Sequence, residues 1–308
     1  MRLYLTPEIA RHVKNACQRD LLSPCPLIRE VAQVLGLLTS SFPGIMYGPL
    51  HYRWTERALQ ENKGNFDKAM RLSTEAKGEL QWWVNCVETS YNPVSHGPMQ
   101  VTMTTDASQT GWGCTVNGIP TGGCWDPEEA DRHINYLETM AVFLGLQSFS
   151  DQVSDKHVKV LVDNTTAVAC INQMGTCHSN DINSLVIKIW QWCIRHNIWL
   201  TVAHIPGKDN IIADGESRKS RRETEWALNP QIYQDAIAHL GQTPDIDLFA
   251  SRLNYKCKLY VSYQPDLGAF AINAFHLSWD SLNFYAFPHH FVLSKRCYRK
   301  FIRIVQQV

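Results

Sequence analysis

No apolar run in these 308 residues approaches the roughly 18 that a membrane span requires, so a spanning protein is not expected. The opening stretch MRLYLTPEIARHVKNACQRD has charges through any apolar core a signal peptide would need. The expectation is an intracellular protein, cytoplasmic or nuclear. None of the ten cysteines falls within four positions of another, which excludes the CxxC spacing of a zinc site and leaves them as small buried hydrophobes. Net charge is also missing: 29 basic and 29 acidic residues give a formal total of zero, so no global field draws a polyanion, and any such partner depends on local patches. Two patches exist, RKSRR at Arg218 to Arg222 and KRCYRKFIR with Lys295, Arg296, Arg299, Lys300 and Arg303. The second reads equally well as a solvated helix face. Internal repeats and low-complexity tracts are absent.

What is present is a chain that is 44% hydrophobic and 19% charged, long enough for two or three domains with a sizeable core. Residues 1–95 read as helical. Leu27, Val31, Val34, Leu35 and Leu38 recur at helical spacing, with Ser23 and Pro24 at the start. Ser73 can cap a further helix whose stripe is Ala76, Leu80, Trp83, Val84 and Val87. SYNPVSHGP then supplies a linker.

From 96 to 222 the period changes. QVTMTTD alternates as a strand, and GWGCTVNGIPTGGCW is two strands about Asn117-Gly118, a pair suited to a type I′ turn. The helix INYLETMAVFLGLQSF, the strand HVKVLVDN, the helices TTAVACINQM and INSLVIKIWQWCIRHN, the strand IWLTVAHI and a helix through NIIADGESR follow. The order β, β, β, α, β, α, α, β, α predicts a mixed five-stranded sheet flanked by helices. Residues 223–308, rich in aromatics and turn formers, read as an α/β or irregular module.

On this order of elements, Asp106 ends the first strand, Glu138 sits in the first helix, Asp163 ends the fourth strand and Asp214 begins the last helix. Each alone reads as a turn former, an exposed helix charge, an Asx-turn residue or a helix cap. Together they place four carboxylates where strand ends and helix starts converge. Such a cluster repels itself unless protonated or neutralised by cations. Oxygen-only donors favour Mg²⁺ or Mn²⁺, and two such ions are a standard clamp for phosphodiester displacement.

TTDAS, NYLETMA, LVDNTTAV and HIPGKDNIIADGESR resemble the motifs of the type 1 ribonuclease H domain of reverse transcriptases. TGWGCTVNG, HINYLE, DNTTAVACINQMG, EWALNP and DIDLFASRLN resemble DIRS-like retroelements, whose polyproteins also carry a tyrosine recombinase. The resemblance implies a ribonuclease H-like fold in which Asp106 bridges two metal ions, Glu138 and Asp163 hold the leaving-group ion, and Asp214 completes the site that activates water. It makes His204 a mobile proton or release group and places Arg218, Lys219, Arg221 and Arg222 near the substrate backbone. It further implies a thumb-like or connection-like role for the helical segment. No Y-x-D-D or H-x-x-R occurs, so palm and fingers are expected from upstream sequence or another chain.

The activity this predicts is Mg²⁺-dependent cleavage of the RNA strand of RNA:DNA hybrids. The rival is a non-catalytic remnant that binds hybrid or scaffolds a reverse transcriptase. Gly215 and Glu216 depart from the A-D-x-L-S-R pattern the resemblance leads one to expect, and they predict a fraying last helix and weakened turnover. In the last third, DIDLFASRLN and NFYAFPHHF faintly resemble an adenine methyltransferase layout. Phe287-Pro288-His289-His290 breaks its catalytic pattern, so a packing or docking module without S-adenosylmethionine is expected.

Overall fold

The structure is a computed structural model in which residues 1–62, 64–219 and 227–287 are described. Arg221 and Arg222, the basic patch from Lys295 to Arg303, and the Pro288-His289-His290 turn lie outside the described residues.

The N-terminal part is helical: β1 (Arg2–Leu3), α1 (Pro7–Leu22), α2 (Ile28–Ser41), α3 (Arg53–Glu61), α4 (Thr74–Cys86) and β2 (Asn92–Pro93), the last pairing antiparallel with β1. Local chemistry sets the ends. Thr6 accepts from the Ile9 N–H with Pro7 at the first helical position of α1, and Ser73 caps α4 through the Ala76 N–H, as its sequence position predicts. Ser23 and Pro24 do not open α2: the Ser23 N–H closes α1 on the Arg19 carbonyl, and α2 begins at Ile28, where the Glu30 carboxylate accepts from the Leu27 N–H. A buried core of Val13, Cys17, Val31, Val34, Leu38, Ala76, Leu80 and Trp83 joins the four helices, which is what stripes at helical spacing require.

The middle of the chain forms β3 (Val101–Ala107), β4 (Gly111–Val116), β5 (Ile119–Cys124), α5 (Pro127–Ala130), α6 (Ile134–Ser148), α7 (Ser150–Val153), β6 (His157–Val162), α8 (Thr165–Asn172), α9 (Asn180–Arg195), β7 (Trp199–His204) and α10 (Ile211–Arg218). The order of major elements is the expected one, with the short helices α5 and α7 added. A mixed five-stranded sheet runs β5-β4-β3-β6-β7. The first three strands are antiparallel neighbours, and the β4–β5 turn has Asn117 and Gly118 both at positive φ, 52° and 78°, as a type I′ hairpin demands. This is a ribonuclease H-like α/β fold.

The C-terminal part holds α11 (Pro230–Leu240), β8 (Ile246–Asp247), β9 (Leu259–Ser262), β10 (Ala271–Ile272) and β11 (Phe284–Tyr285), the strands pairing in parallel in the order β10-β9-β8-β11. Ile246, Leu248, Val261, Ala274 and Trp279 are its core.

The chain divides into two compact units, Met1–Gln100 with Asp155–Lys159 and Asn164–Val202, and Val101–Ser154 with Val160–Asp163 and Ala203–Val308. In the first, Asn172 bonds reciprocally with the backbone of Val202, tying the end of α8 to β7. In the second, Arg252 donates to the Cys124 carbonyl at the end of β5 and pairs with Glu129 of α5 at 2.8 Å, so β8–β11 are fastened to the margin of the β3–β5 hairpins. Among the described residues, no helix is long and apolar enough to cross a membrane.

Candidate metal centre

Three carboxylates meet at one end of the sheet. Alternation along VTMTTDA turns Met103 and Thr105 inward and leaves Asp106 near the strand end, 3% exposed. Glu138, on α6, is 4% exposed, its helix held against the sheet by Leu137, Ala141, Leu144 and Gly145. A Cβ at Gly145 would lie 2.8 Å from the Cys114 sulfur, so the absence of a side chain there lets α6 approach β4 closely. Asp163 follows directly on β6. One carboxylate oxygen from each of Asp106, Glu138 and Asp163 lies within 4.8 Å of the others.

Burial first, and then the charges of Asp106 and Asp163, push the Glu138 carboxyl up to about 9, against an opposing bond from the Ala107 N–H. Burial likewise raises Asp106 to about 6, opposed by the Ser217 hydroxyl and reinforced by Asp163 and Asp214. Among the described residues, buried Glu138 Oε2 has no hydrogen-bond partner, the arrangement that costs most in a low-dielectric site and that a cation or proton relieves.

Asp214 is placed differently from the reading that all four acids converge. It lies outside the 4.8 Å group, 38% exposed, on the fourth residue of α10, with Oδ1 accepting from Arg218 Nε at 2.6 Å. It nonetheless sits close enough for its charge to raise Asp106. A carboxylate with an arginine one turn later finds its neutralising partner on its own helix, whereas buried Asp106 and Glu138 and half-buried Asp163 form no ion pair among the described residues. His204 is exposed at the end of β7. The turn after it comes back to the cluster: a Cβ at Gly207 would stand 3.0 Å from Asp163 Oδ2. Lys219 pairs with Glu216, so both described members of the basic run are engaged by acids of α10.

The helix carrying Asp214 lies unusually close to the sheet. A Cβ at Gly113 would be 2.1 Å from the Ala213 carbonyl, and one at Gly111 2.5 Å from the Gly123 carbonyl and 3.2 Å from the Ser217 carbonyl, so the glycines of GWGC are what let α10 settle on β4. Buried Asn210 donates to the Thr105 carbonyl at 2.9 Å, Ser217 to Asp106 Oδ2, and Ser108 to the Ser217 carbonyl at 2.7 Å. Sequence reasoning passed over Asn210, Ser217 and Ser108. The available signal was their spacing: Asn210 and Ser217 bracket Asp214 by one turn on either side. Glu216 is buried, its Cβ facing Gly113 and its carboxylate paired with Lys219, so the position is as enclosed as a leucine there would be, with a charge to satisfy. Gly215 faces open space.

No family model matches the sequence, and no curated protein matches it. Among solved structures, LC11-RNase H1 in complex with RNA/DNA hybrid is similar at 19% identity over 38% of this chain and 93% of that one, with a TM-score of 0.33. RNase H1 from the halophilic archaeon Halobacterium salinarum NRC-1 is similar at 16%, over 38% and 92%, at 0.32. The foamy viral protease-reverse transcriptase in complex with RNA/DNA hybrid is similar at 12%, over 65% of this chain and 27% of that one, at 0.26. Likeness at this level leaves the assignment of a ribonuclease H-like fold resting on the strand order and direction within the chain itself.

Proposed function

We propose that the chain is a divalent-metal-dependent endonuclease that cleaves the RNA strand of an RNA:DNA hybrid, the ribonuclease H part of a DIRS-like retroelement reverse transcriptase whose palm and fingers come from upstream sequence or another chain. The observation that carries it is the convergence of Asp106, Glu138 and Asp163, from β3, α6 and the end of β6, with a buried oxygen on Glu138 that has no hydrogen-bond partner among the described residues. The donor set fits a hard cation: all oxygen, no thiolate or imidazole, and more negative charge than a buried site holds unaided. Asp106, Glu138 and Asp163 would hold Mg²⁺ or Mn²⁺, with Asp214 joining on exchange of Arg218. A pair of such ions supplies Lewis-acid activation of water and neutralisation at the leaving oxygen.

The side chains of this chain do the rest. Asp106 and Glu138 fix the position of positive charge through bonds from Ser217 and Ala107. His204, solvent-facing beside the turn that touches Asp163, accepts or passes a proton or helps product leave. Arg218 and Lys219, once exchanged from Asp214 and Glu216, meet backbone phosphates as charge-assisted donors, and Arg221 and Arg222 continue that run. Discrimination for hybrid rests on 2′-hydroxyls and groove shape rather than on base sequence.

The rival, a hybrid-binding remnant without turnover, draws support from Asp214 being held by Arg218 outside the cluster. A gel assay separates them. Mg²⁺-dependent cleavage of hybrid but not of single-stranded RNA, abolished by Asp106→Asn or Asp163→Asn in folded protein, supports the nuclease. Hybrid binding without cleavage in Mg²⁺ or Mn²⁺ supports the remnant.

A further inference from the structure

We propose that Ser217 is the positioning residue of the metal centre: its hydroxyl locks the Asp106 carboxylate in the orientation that meets Glu138 and Asp163, and so transmits the seating of α10 on the sheet to the site. This rests on the proposed function, because it assigns a role in the same cluster.

Ser217 is fully buried on α10, one turn after Asp214. A hydroxyl has one proton to give. Its two acceptors are Asp106 Oδ2, the shorter contact, and the Asp214 carbonyl at 3.0 Å. The ionised oxygen is the stronger acceptor, so the proton goes to Asp106 and fixes which of its oxygens stays open toward the other carboxylates.

The bond does not stand alone. Ser108, two residues after Asp106 on the same chain segment, donates its one hydroxyl proton back to the Ser217 carbonyl at 2.7 Å, the Gly111 carbonyl at 3.2 Å being the longer alternative. Helix and strand thus exchange one serine bond each way across the acid. At the other end of the helix, Asn210 donates to the carbonyl of Thr105, the residue before Asp106. The Thr105 carbonyl before Asp106, the Ser108 hydroxyl after it and the Asp106 carboxylate itself are therefore all tied to α10 or its N-cap. A rotation of that helix would swing Asp106 out of the 4.8 Å group while Glu138 and Asp163, on α6 and after β6, stayed in place. Partners of this kind, which hold a ligand rather than the ion, commonly cost 10- to 100-fold in metal affinity when removed.

The test titrates the full chain with Mn²⁺, read by calorimetry and by the paramagnetic resonance of free Mn²⁺, for the wild type, Ser217→Ala, Ser217→Thr and Asp106→Asn. Expected is a loss of about 10- to 100-fold in Mn²⁺ affinity for Ser217→Ala, with melting in chelator lowered by no more than one lost hydrogen bond accounts for, recovery to within a few-fold in Ser217→Thr, and a fall in kcat with KM for hybrid unchanged. The proposal is overturned if Ser217→Ala binds Mn²⁺ as the wild type does while Asp106→Asn does not. It is equally overturned if Ser217→Thr loses as much as Ser217→Ala, or if Ser217→Ala melts lower by more than one lost hydrogen bond accounts for, since Ser217 is then a packing residue. A wild type that takes up no Mn²⁺ removes the metal centre itself, and Ser217's role with it.

Discussion

Glu138 shows how a single buried acid records the demands of a site. Its carboxyl is held at about 9 against an ordinary 4.5, burial being the first cause. Between those values the folded chain keeps a proton that the unfolded chain has lost, so the stability this group contributes is complete below about pH 4.5 and is lost as pH rises toward 9. Without metal, melting temperature should therefore fall across that window, and Glu138→Gln should remove most of the fall. At pH 8 in chelator the variant should melt at least ~2–4 °C above the wild type, the shift about 1 kcal/mol produces in a chain of this class. A wild-type and variant profile of equal slope would mean the carboxyl is not held protonated. His204 behaves differently because it is exposed: His204→Ala should slow hybrid cleavage by roughly 10²- to 10⁴-fold, or less if product release is its only role. Mg²⁺ affinity by calorimetry should stay as in the wild type, and a large loss there would make the histidine a ligand.

At the scale of the element, α10 decides whether the residues just described are in register. Its seat is backbone on backbone at Gly113, where a methyl would land 2.1 Å from the Ala213 carbonyl. Gly113→Ala must lift the helix, and with it Ser217 and Asn210. A loss of more than about 2 kcal/mol by denaturant titration is expected, in the range of overpacked sites, together with loss of Mn²⁺ binding. Gly215 is the contrast: it faces open space, so Gly215→Ala adds helix propensity worth about 1 kcal/mol without a clash. Glu216→Leu replaces a buried carboxylate with apolar volume and releases Lys219, which is exposed enough for water to take the place of its partner, so losing the pair costs little. The double variant should melt higher and cleave faster than the wild type. Melting lower would mean that the Glu216–Lys219 pair is needed for the helix end.

For the molecule as a whole, the second compact unit depends on how its C-terminal strands are attached. Arg252 reaches Glu129 and the Cys124 carbonyl with both charged partners largely buried. Removing one partner leaves the other's charge without its match, which costs about 3–5 kcal/mol in buried pairs. Arg252→Ala should expose β8–β11 to limited proteolysis and raise hydrogen exchange at Thr121 to Glu129, while Arg252→Ala with Glu129→Ala should recover part of the loss. Unchanged exchange at β5 would show that Thr121 and its bond to the Pro265 carbonyl hold the strands unaided.

Period and punctuation were enough to read the middle of the chain. Alternation in VTMTTD and HVKVLV, the Asn117-Gly118 pair and the helical stripes are local signals, and burial of one face at a fixed period admits few arrangements, so the order of elements and three of the four acids expected to converge were legible. The short strands β8–β11 were not, because two-residue pairings leave no period to read. Nor could the start of α2 be read from Ser23, since that residue serves the helix before it. The sequence by itself determined which residue types stand at strand ends and helix starts, since that depends only on spacing along the chain. Only the tertiary structure decided that Glu216 is buried over Gly113 and that Ser217 reaches Asp106 across 111 residues of chain. Those outcomes depend on how far a helix can sink onto a strand, a distance set by side chains missing from the facing element and invisible from either segment alone.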